Sequence, residues 1–438
     1  MRLDDLHLWY LGDPAQARHV GTLKLQTQGK GVSLRYSTDW LANGFALSVD
    51  LPLRDVDFMP PRRLAADAPR AVGAVDDARP DRWGEKVIRF VEKPQRLSLM
   101  EYLYYAGDDR FGALGVSISA SAYEPHAAGP LPRLEDAQQL SEVAAKIEAS
   151  EPLSALEAKI IAGGGSPLGG AKPKALIEIE GEQWVLKFFN NEPIDTPLVE
   201  HATMTLAERA GITVAKTQVI RLVGENALAV RRFDRERERR IHSISAGTAI
   251  RAELGSEAET QMGYPALARV LRRVGVAEYD QHKRDEHELF RRMVFNILID
   301  NTDDHEKNHS LLVVNPLANG RLKLSPAYDV LPTNSGQGNQ EFICGLQANE
   351  STLDNAMSDC GSFGLSIEEA TVEVARVIEV VNTWRDHFSM VGVTVGDIET
   401  LAKQIDGDAL LSQRRSFDPD KYQTSESRRS RPSPFKRS

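Results

Sequence analysis

Over the first hundred residues, hydrophobic and polar positions alternate in short runs, with the period of two that belongs to half-buried strands. The runs cover residues 6–11, 19–26, 31–36 and 45–53, separated by turn residues such as Gln28-Gly29-Lys30-Gly31. They predict a small antiparallel sheet. Residues 76–91 switch to helical spacing, with Pro80 near the start of the predicted helix. Asp108-Asp109-Arg110-Phe111-Gly112-Ala113-Leu114 reads as a turn followed by a strand, and residues 134–149 as a connecting helix.

A glycine-rich stretch, Gly163-Gly164-Gly165-Ser166-Pro167-Leu168-Gly169-Gly170, precedes two predicted strands, 174–180 and 183–189, joined by a tight turn at Glu180-Gly181-Glu182. Thr196-Pro197 opens a helix that Gly211 ends, because proline suits the first helical turn and glycine the stop. Strands follow at 214–222 and 227–233. Beyond about residue 245 the pattern is helical. Leu289, Phe290, Met293, Val294, Ile297 and Leu298 form one apolar face. Ser366 and Glu369 make a capping-box signature before a second stripe, Ala370, Val374, Val377, Ile378, Val381 and Trp384. Both stripes read as core. After Leu411 the chain is polar and basic, with too little apolar surface to fold alone.

This order predicts an α+β fold of two lobes, with a cleft between a β lobe and an α lobe. The expected division is a β-rich unit at 1–120, a β lobe with the glycine-rich loop at 121–240, a helical lobe at 241–412 and a disordered basic tail at 413–438. A chain of 438 residues is long enough for two or three packed units. Hydrophobic residues make up 41% and charged residues 26%, the balance of a soluble globular protein. The charged start has no apolar run of a secretory signal, and no window approaches the 18 or more apolar residues of a membrane span. Two cysteines, Cys344 and Cys360, lie in no metal-ligand spacing. They read as buried thiols in a reducing cytosol, so the expectation is a cytoplasmic protein with no membrane partner. The net charge of −10 argues against a DNA-binding module acting by itself. The basic run Arg231, Arg232, Arg235, Arg237, Arg239 and Arg240 reads as a solvated face, or alternatively as a dock for an acidic partner.

The stretch Asn301-Thr302-Asp303-Asp304-His305-Glu306-Lys307-Asn308 carries candidate chemistry. An Asp followed five residues later by an Asn is the spacing of a kinase catalytic loop. Asp303 would accept or orient the proton of an attacking hydroxyl, and the Asn308 oxygen would bind Mg²⁺. Asp329 arrives 26 residues after Asp303, behind a short strand. An acidic residue there suits a cation bridging the β and γ phosphates of ATP, although alone it could equally start a turn. Lys187 ends the strand Trp184-Val185-Leu186-Lys187 and would neutralise phosphate; alone it reads as an exposed strand lysine. Glu200, on the next helix, is its candidate partner. The glycines at 163–170 would let backbone N–H groups approach phosphates, unless the stretch is a linker. Two other readings fail. Gly170 is followed by Ala171-Lys172-Pro173, so the P-loop ending is missing. His305-Glu306-Lys307-Asn308-His309 has the letters of a zinc-protease helix but sits where a loop or cap is predicted.

Together these stretches resemble the HipA family of bacterial toxin kinases, and the resemblance runs through nearly the whole chain. It includes Pro80-Asp81-Arg82-Trp83-Gly84, Asp109-Arg110-Phe111-Gly112-Ala113-Leu114, Gly169-Gly170-Ala171-Lys172-Pro173-Lys174, Arg232-Phe233-Asp234-Arg235, residues 303–310 and Ser325-Pro326-Ala327-Tyr328-Asp329. The resemblance implies a serine/threonine kinase fold with an extra N-terminal β subdomain and an all-α C-terminal lobe. It implies Asp303 as catalytic base and Asn308 and Asp329 as Mg²⁺ ligands. Lys187, Phe233, Gly169, Gly170, Lys174 and His305 fall among the ATP-binding residues, with Phe233 where the inter-lobe segment meets the adenine. Family members autophosphorylate on a serine before the Gly-Gly-Ala element. Ser166 is the nearest candidate, one residue out of register because Pro167 stands at the expected place. The resemblance further implies ATP and Mg²⁺ as cofactors and a protein substrate phosphorylated on Ser or Thr, the best-known one being an aminoacyl-tRNA synthetase. A small HipB-like helix-turn-helix antitoxin would be the partner, with DNA reached only through it. The alternative is a kinase-fold binding module that acts as co-repressor with such a partner.

Overall fold

A computed structural model describes residues 3–26, 31–60, 70–126, 130–162, 170, 172–190 and 192–422. The first sheet is antiparallel and ordered Asp57–Phe58, Val32–Tyr36, Arg18–Leu25, Asp5–Tyr10, Leu114–Ser117. The expected strand at 45–53 does not form. Phe45, Leu47 and Leu51 are buried, but side chains occupy the carbonyls a ladder would use. The Trp40 indole donates to Phe45 O at 3.0 Å and the Tyr36 hydroxyl to Leu51 O at 2.7 Å. The expected helix at 76–91 is two helices, Gly73–Asp77 and Arg82–Val91. Pro80 lies between them, where its ring and missing N–H stop helical continuation. Helices Leu99–Tyr105 and Ala155–Ala162 were not predicted.

The second sheet is ordered Lys174–Ile179, Glu182–Lys187, Asn226–Arg231, Thr217–Arg221, again antiparallel. Glu180 and Gly181 both have positive φ, +52° and +77°, the backbone of a hairpin turn matched to strand twist. The strand expected from 214 starts only at Thr217, because the preceding backbone bonds across the molecule. Ala215 N donates to Ala327 O, and Ala327 N to Thr213 O, each at 2.8 Å. Residues 134–149 are more than a connector: Leu140, Val143 and Ile147 of the Ala137–Glu148 helix cover this sheet. Trp83 and Val87 share the same core, so the N-terminal unit completes the β lobe.

In the C-terminal lobe, both predicted apolar stripes are buried, on the helices Gln281–Leu298 and Ile367–Val381. The Ser366–Glu369 capping box is formed. The lobe is not all-α, however. A third sheet, Ser243–Ser245, Ser310–Val314, Arg321–Leu324, lies within it, built on the apolar run Leu311-Leu312-Val313-Val314. Its pairing of Leu311 with Leu324 places the loop before residue 310 beside the segment after residue 324.

The helix Asp408–Ser416 crosses the expected tail boundary at 412/413. Arg414 is buried there, donating to Asp406 Oδ1 at 2.7 Å, Ile405 O at 2.6 Å and Asn382 Oδ1 at 3.0 Å. Counting it as a solvated charge misplaced the boundary; residues 423–438 lie outside the described residues. The basic run also turns out differently. Arg231 pairs with Glu182, Arg232 is buried, and the Arg235 and Arg240 side chains are mostly covered. Only Arg237 and Arg239 are exposed, at a hairpin turn where Glu236 and Glu238 alternate with them. Among the described residues, no helix is long and apolar enough to cross a membrane.

Candidate phosphoryl-transfer site

Lys187 and Lys174 stand directly opposite each other on paired strands, and both are buried. Like charges so placed repel, and carboxylates from two other elements compensate. The Lys187 ammonium donates to Glu200 Oε1 at 2.7 Å and to Asp329 Oδ1 at 2.5 Å. Glu200 comes from the helix Thr196–Arg209, which begins as predicted, with Pro197 in its first turn and Asp195 capping Leu198 N at 3.2 Å. Burial would push Lys187 down, but Asp329 and Glu200 outweigh it and raise the ammonium above its ordinary value. Burial and neighbouring Lys187 lower Lys174 to about 8. Burial would raise Asp329, yet Lys187 and Lys174 hold it at about 2, so it is ionised at neutral pH. Burial dominates at Glu200 and raises it, and its Oε2 has no hydrogen-bond partner among the described residues.

Asp329 adopts φ +61°, a left-handed conformation costly for a residue with a Cβ. Neighbouring contacts hold it there. The Tyr328 hydroxyl donates to Lys307 O at 2.7 Å and lies 2.6 Å from Ser310 Oγ, joining this segment to the loop at 300–309. Thr333 N donates to Asp300 O at 2.8 Å, which ties down the chain beyond Asp329.

In that loop the two adjacent aspartates diverge. Asp304 is buried and accepts from Tyr264 Oη and from His309 Nε2, the latter at 2.9 Å. Burial would raise it, but His309 outweighs burial and holds it below the usual carboxylate range. Asp303 therefore faces solvent. Asn308 donates through Nδ2 to Asp303 O at 3.2 Å, leaving its amide oxygen as the end for another ligand. His305 lies close enough to contribute to the lowering of Asp329. The zinc reading fails on geometry: residues 301–309 form no helix, and the His309 ring is held by Asp304 and stacked on Phe342 at 5.4 Å. Among the described residues, no group of three or more His, Cys, Asp or Glu could hold a metal. Asn308 and ionised Asp329 would offer oxygen donors of the kind Mg²⁺ takes, one or two from protein with phosphate and water completing its shell.

Phe233 packs on Tyr328, ring centroids 5.3 Å apart, next to Asp329. Buried ion pairs fix its segment. Arg232 bonds Asp234 through Nε at 2.9 Å and Nη2 at 2.7 Å, and reaches Asp109 O and Arg110 O, both at 2.8 Å. Asp234 Oδ2 also accepts from Gly112 N at 2.8 Å. Two stretches far apart in sequence, 109–112 and 232–235, thus interlock.

Gly170 has φ +99°, and a Cβ there would collide with the Lys174 ammonium. Gly169 and Ser166 lie outside the described residues. The structure brings Lys187, Lys174, Glu200 and Asp329 into one cluster. Tyr328 joins to it the loop that carries Asp303, His305 and Asn308. Sequence reasoning gave no role to Asp304, Tyr328 or Trp83, all of which position these groups. The readable signal was that each lies inside a quoted motif.

Residues 166–385 match the family described as the HipA-like C-terminal domain, and residues 15–117 match the HipA N-terminal domain. Two curated proteins named "Putative kinase" are related over part of their length. One, Y4dM from Sinorhizobium fredii, is 33% identical over 165 residues, 35% of this chain and 38% of that protein. The other, from Haemophilus influenzae, is 25% identical over 188 residues, 38% of this chain and 52% of that protein. The match thus spans about half or less of each relative. A chain from the Shewanella oneidensis MR-1 toxin–antitoxin complex of HipA, HipB and operator DNA superposes with TM-score 0.63 at 16% identity, covering 95% of this chain and 98% of that one. At that identity the likeness establishes a shared two-lobed α+β fold.

Proposed function

The chain belongs to the HipA family, and from that premise we propose that it is an ATP- and Mg²⁺-dependent kinase that moves the γ-phosphoryl group of ATP to a Ser or Thr hydroxyl of another protein. The carrying observation is the Lys187 ammonium bonded to both Glu200 and Asp329, 13 and 142 residues away in the chain. Such a triad sets a cation where the nucleotide phosphates belong and readies a carboxylate for metal. Asp303, exposed beside Asn308, would accept or orient the proton of the attacking hydroxyl. Asn308 and Asp329 supply the oxygen donors for Mg²⁺, whose contribution when bound is neutralisation of phosphate charge. Lys187 and Lys174 offset the remaining charge, and Phe233 offers an apolar face for the adenine. Positioning and electrostatics supply most of the acceleration in such transfer.

The Shewanella complex contains HipB and operator DNA. On that analogy the partner here is a small helix-turn-helix antitoxin, with DNA reached through it, and Ser166 remains a candidate autophosphorylation site. A purely co-repressive module would not need Lys187, Asp303, Asn308 and Asp329 all retained. Transfer from labelled ATP decides between the two. Asp303→Asn should slow transfer by at least about a hundredfold, the typical share of a general base, while Mg-ATP still raises the melting temperature. A wild-type protein that neither transfers phosphate nor is stabilised by Mg-ATP would refute the kinase reading.

A further inference from the structure

The N-terminal unit reaches the site through one carboxylate. Asp81 is the N-cap of the helix Arg82–Val91, with extended backbone at φ −98° and ψ −169°, yet its side chain makes no capping bond. Aspartate at that position ordinarily accepts from the second or third helical amide. Here Asp81 Oδ2 accepts from Lys307 Nζ at 2.7 Å and from Gly170 N at 3.3 Å. Lys307 is in the loop that carries Asp303 and Asn308, and Gly170 is the last residue of the glycine-rich stretch.

The neighbouring residues act in the same direction. Trp83 N donates to Gly170 O at 3.2 Å, and the buried Trp83 indole donates to Lys174 O at 2.7 Å. Both backbone groups of Gly170 are therefore held by residues 81 and 83. Lys307 O in turn accepts from Tyr328 Oη at 2.7 Å, one residue from Asp329. Burial would raise the Asp81 carboxyl, but Lys307 outweighs it and keeps the group at about 2, so the contact is ionic across the physiological range. Lys307 is half exposed, which leaves its ion pair open to screening by salt. A contact of that kind holds an alignment without locking it permanently.

We propose that Asp81 is a positioning residue that ties Gly170 to Lys307 of the loop carrying Asp303 and Asn308, so that the N-terminal unit sets the position of Gly170 relative to that loop and thereby tunes nucleotide binding. The effect on nucleotide rests on the kinase reading; the tie itself does not, and the experiment separates the two. Amide hydrogen exchange is measured on the full-length protein for the peptide 170–174, with the strand Glu182–Lys187 as internal control. Asp81→Ala should speed exchange in 170–174 several-fold and leave the control strand unchanged. Unchanged exchange in 170–174 would overturn the proposal, whether or not the protein is a kinase.

The second arm is the KM for Mg-ATP. Losing the two Asp81 bonds should raise it about tenfold, the scale of one or two hydrogen bonds. Asp81→Asn, which keeps an acceptor for Gly170 N and carries the least risk to folding, should fall between wild type and Asp81→Ala. In a Lys307→Met background, Asp81→Ala should have a clearly smaller effect on KM. Equal effects in both backgrounds would overturn the link to the catalytic loop. If the wild type does not bind Mg-ATP, the kinase reading falls, and the exchange arm alone decides the tie.

Discussion

At the residue scale, the site is a problem of opposed charges solved by placement. Two buried ammonium groups on neighbouring strands lie beside buried Glu200 and the partly exposed Asp329, and the compensation is uneven: Lys187 is raised and Lys174 is lowered to about 8. Lys174 therefore titrates in an accessible range. Near pH 8.5 much of it is neutral in the free protein, and polyphosphate beside it favours the charged form. Mg-ATP binding should take up a proton at pH 8.5 and far less at pH 7, where Lys174 is already charged. Calorimetry in two buffers of different ionisation enthalpy measures this uptake, and Lys174→Met should remove it. Asp303, Asn308 and Asp329 stand out in sequence as candidates because phosphoryl transfer demands those residue types at that spacing. The spacing rule singles out Asp303 over Asp304, and the structure agrees in exposure: Asp303 faces solvent and Asp304 is buried. The physical cause is the Tyr264 hydroxyl, 40 residues away, which together with His309 claims Asp304 for the interior.

At the element scale, motif and core coincide. The segment 232–235 reads in sequence as part of a basic run, but folding turns most of that charge inward. The pair between Arg232 and Asp234 is almost fully covered, with side chains 3% and 4% exposed. Removing one partner of a buried pair costs up to about 3–5 kcal/mol, here with Arg235 left to offset Asp234 in part. Arg232→Ala should lose stability on that scale in urea titration, against a much smaller loss for Arg239→Ala at the exposed turn. Alternation located three of the four predicted N-terminal strands and failed at 45–53, where indole and phenol donors replace a ladder. Period alone also ran one helix across Pro80. Side-chain hydrogen bonds made across the fold leave no trace in local hydrophobic pattern, so such failures are expected.

At the scale of the whole molecule, the N-terminal unit is built into the kinase-like body. Trp83 and Val87 complete the core under the second sheet, and Arg232 and Asp234 bond the backbone at 109–112. A fragment beginning at residue 121 should therefore not unfold cooperatively, whereas the full chain should; circular dichroism melting compares them. A fragment melting as sharply as the parent would show the β lobe to be self-sufficient. The sequence by itself determined the order of most elements and which residues are candidates for the chemistry, because periodicity follows from burial on one face and the proposed chemistry restricts residue type. Only the tertiary structure decided which charges are internal and which aspartate faces out. It also decided that the C-terminal body continues past residue 412 and how residues 81, 170 and 307 come together. Those outcomes depend on contacts between segments far apart in the chain, and no local pattern encodes a partner that folding alone brings within reach.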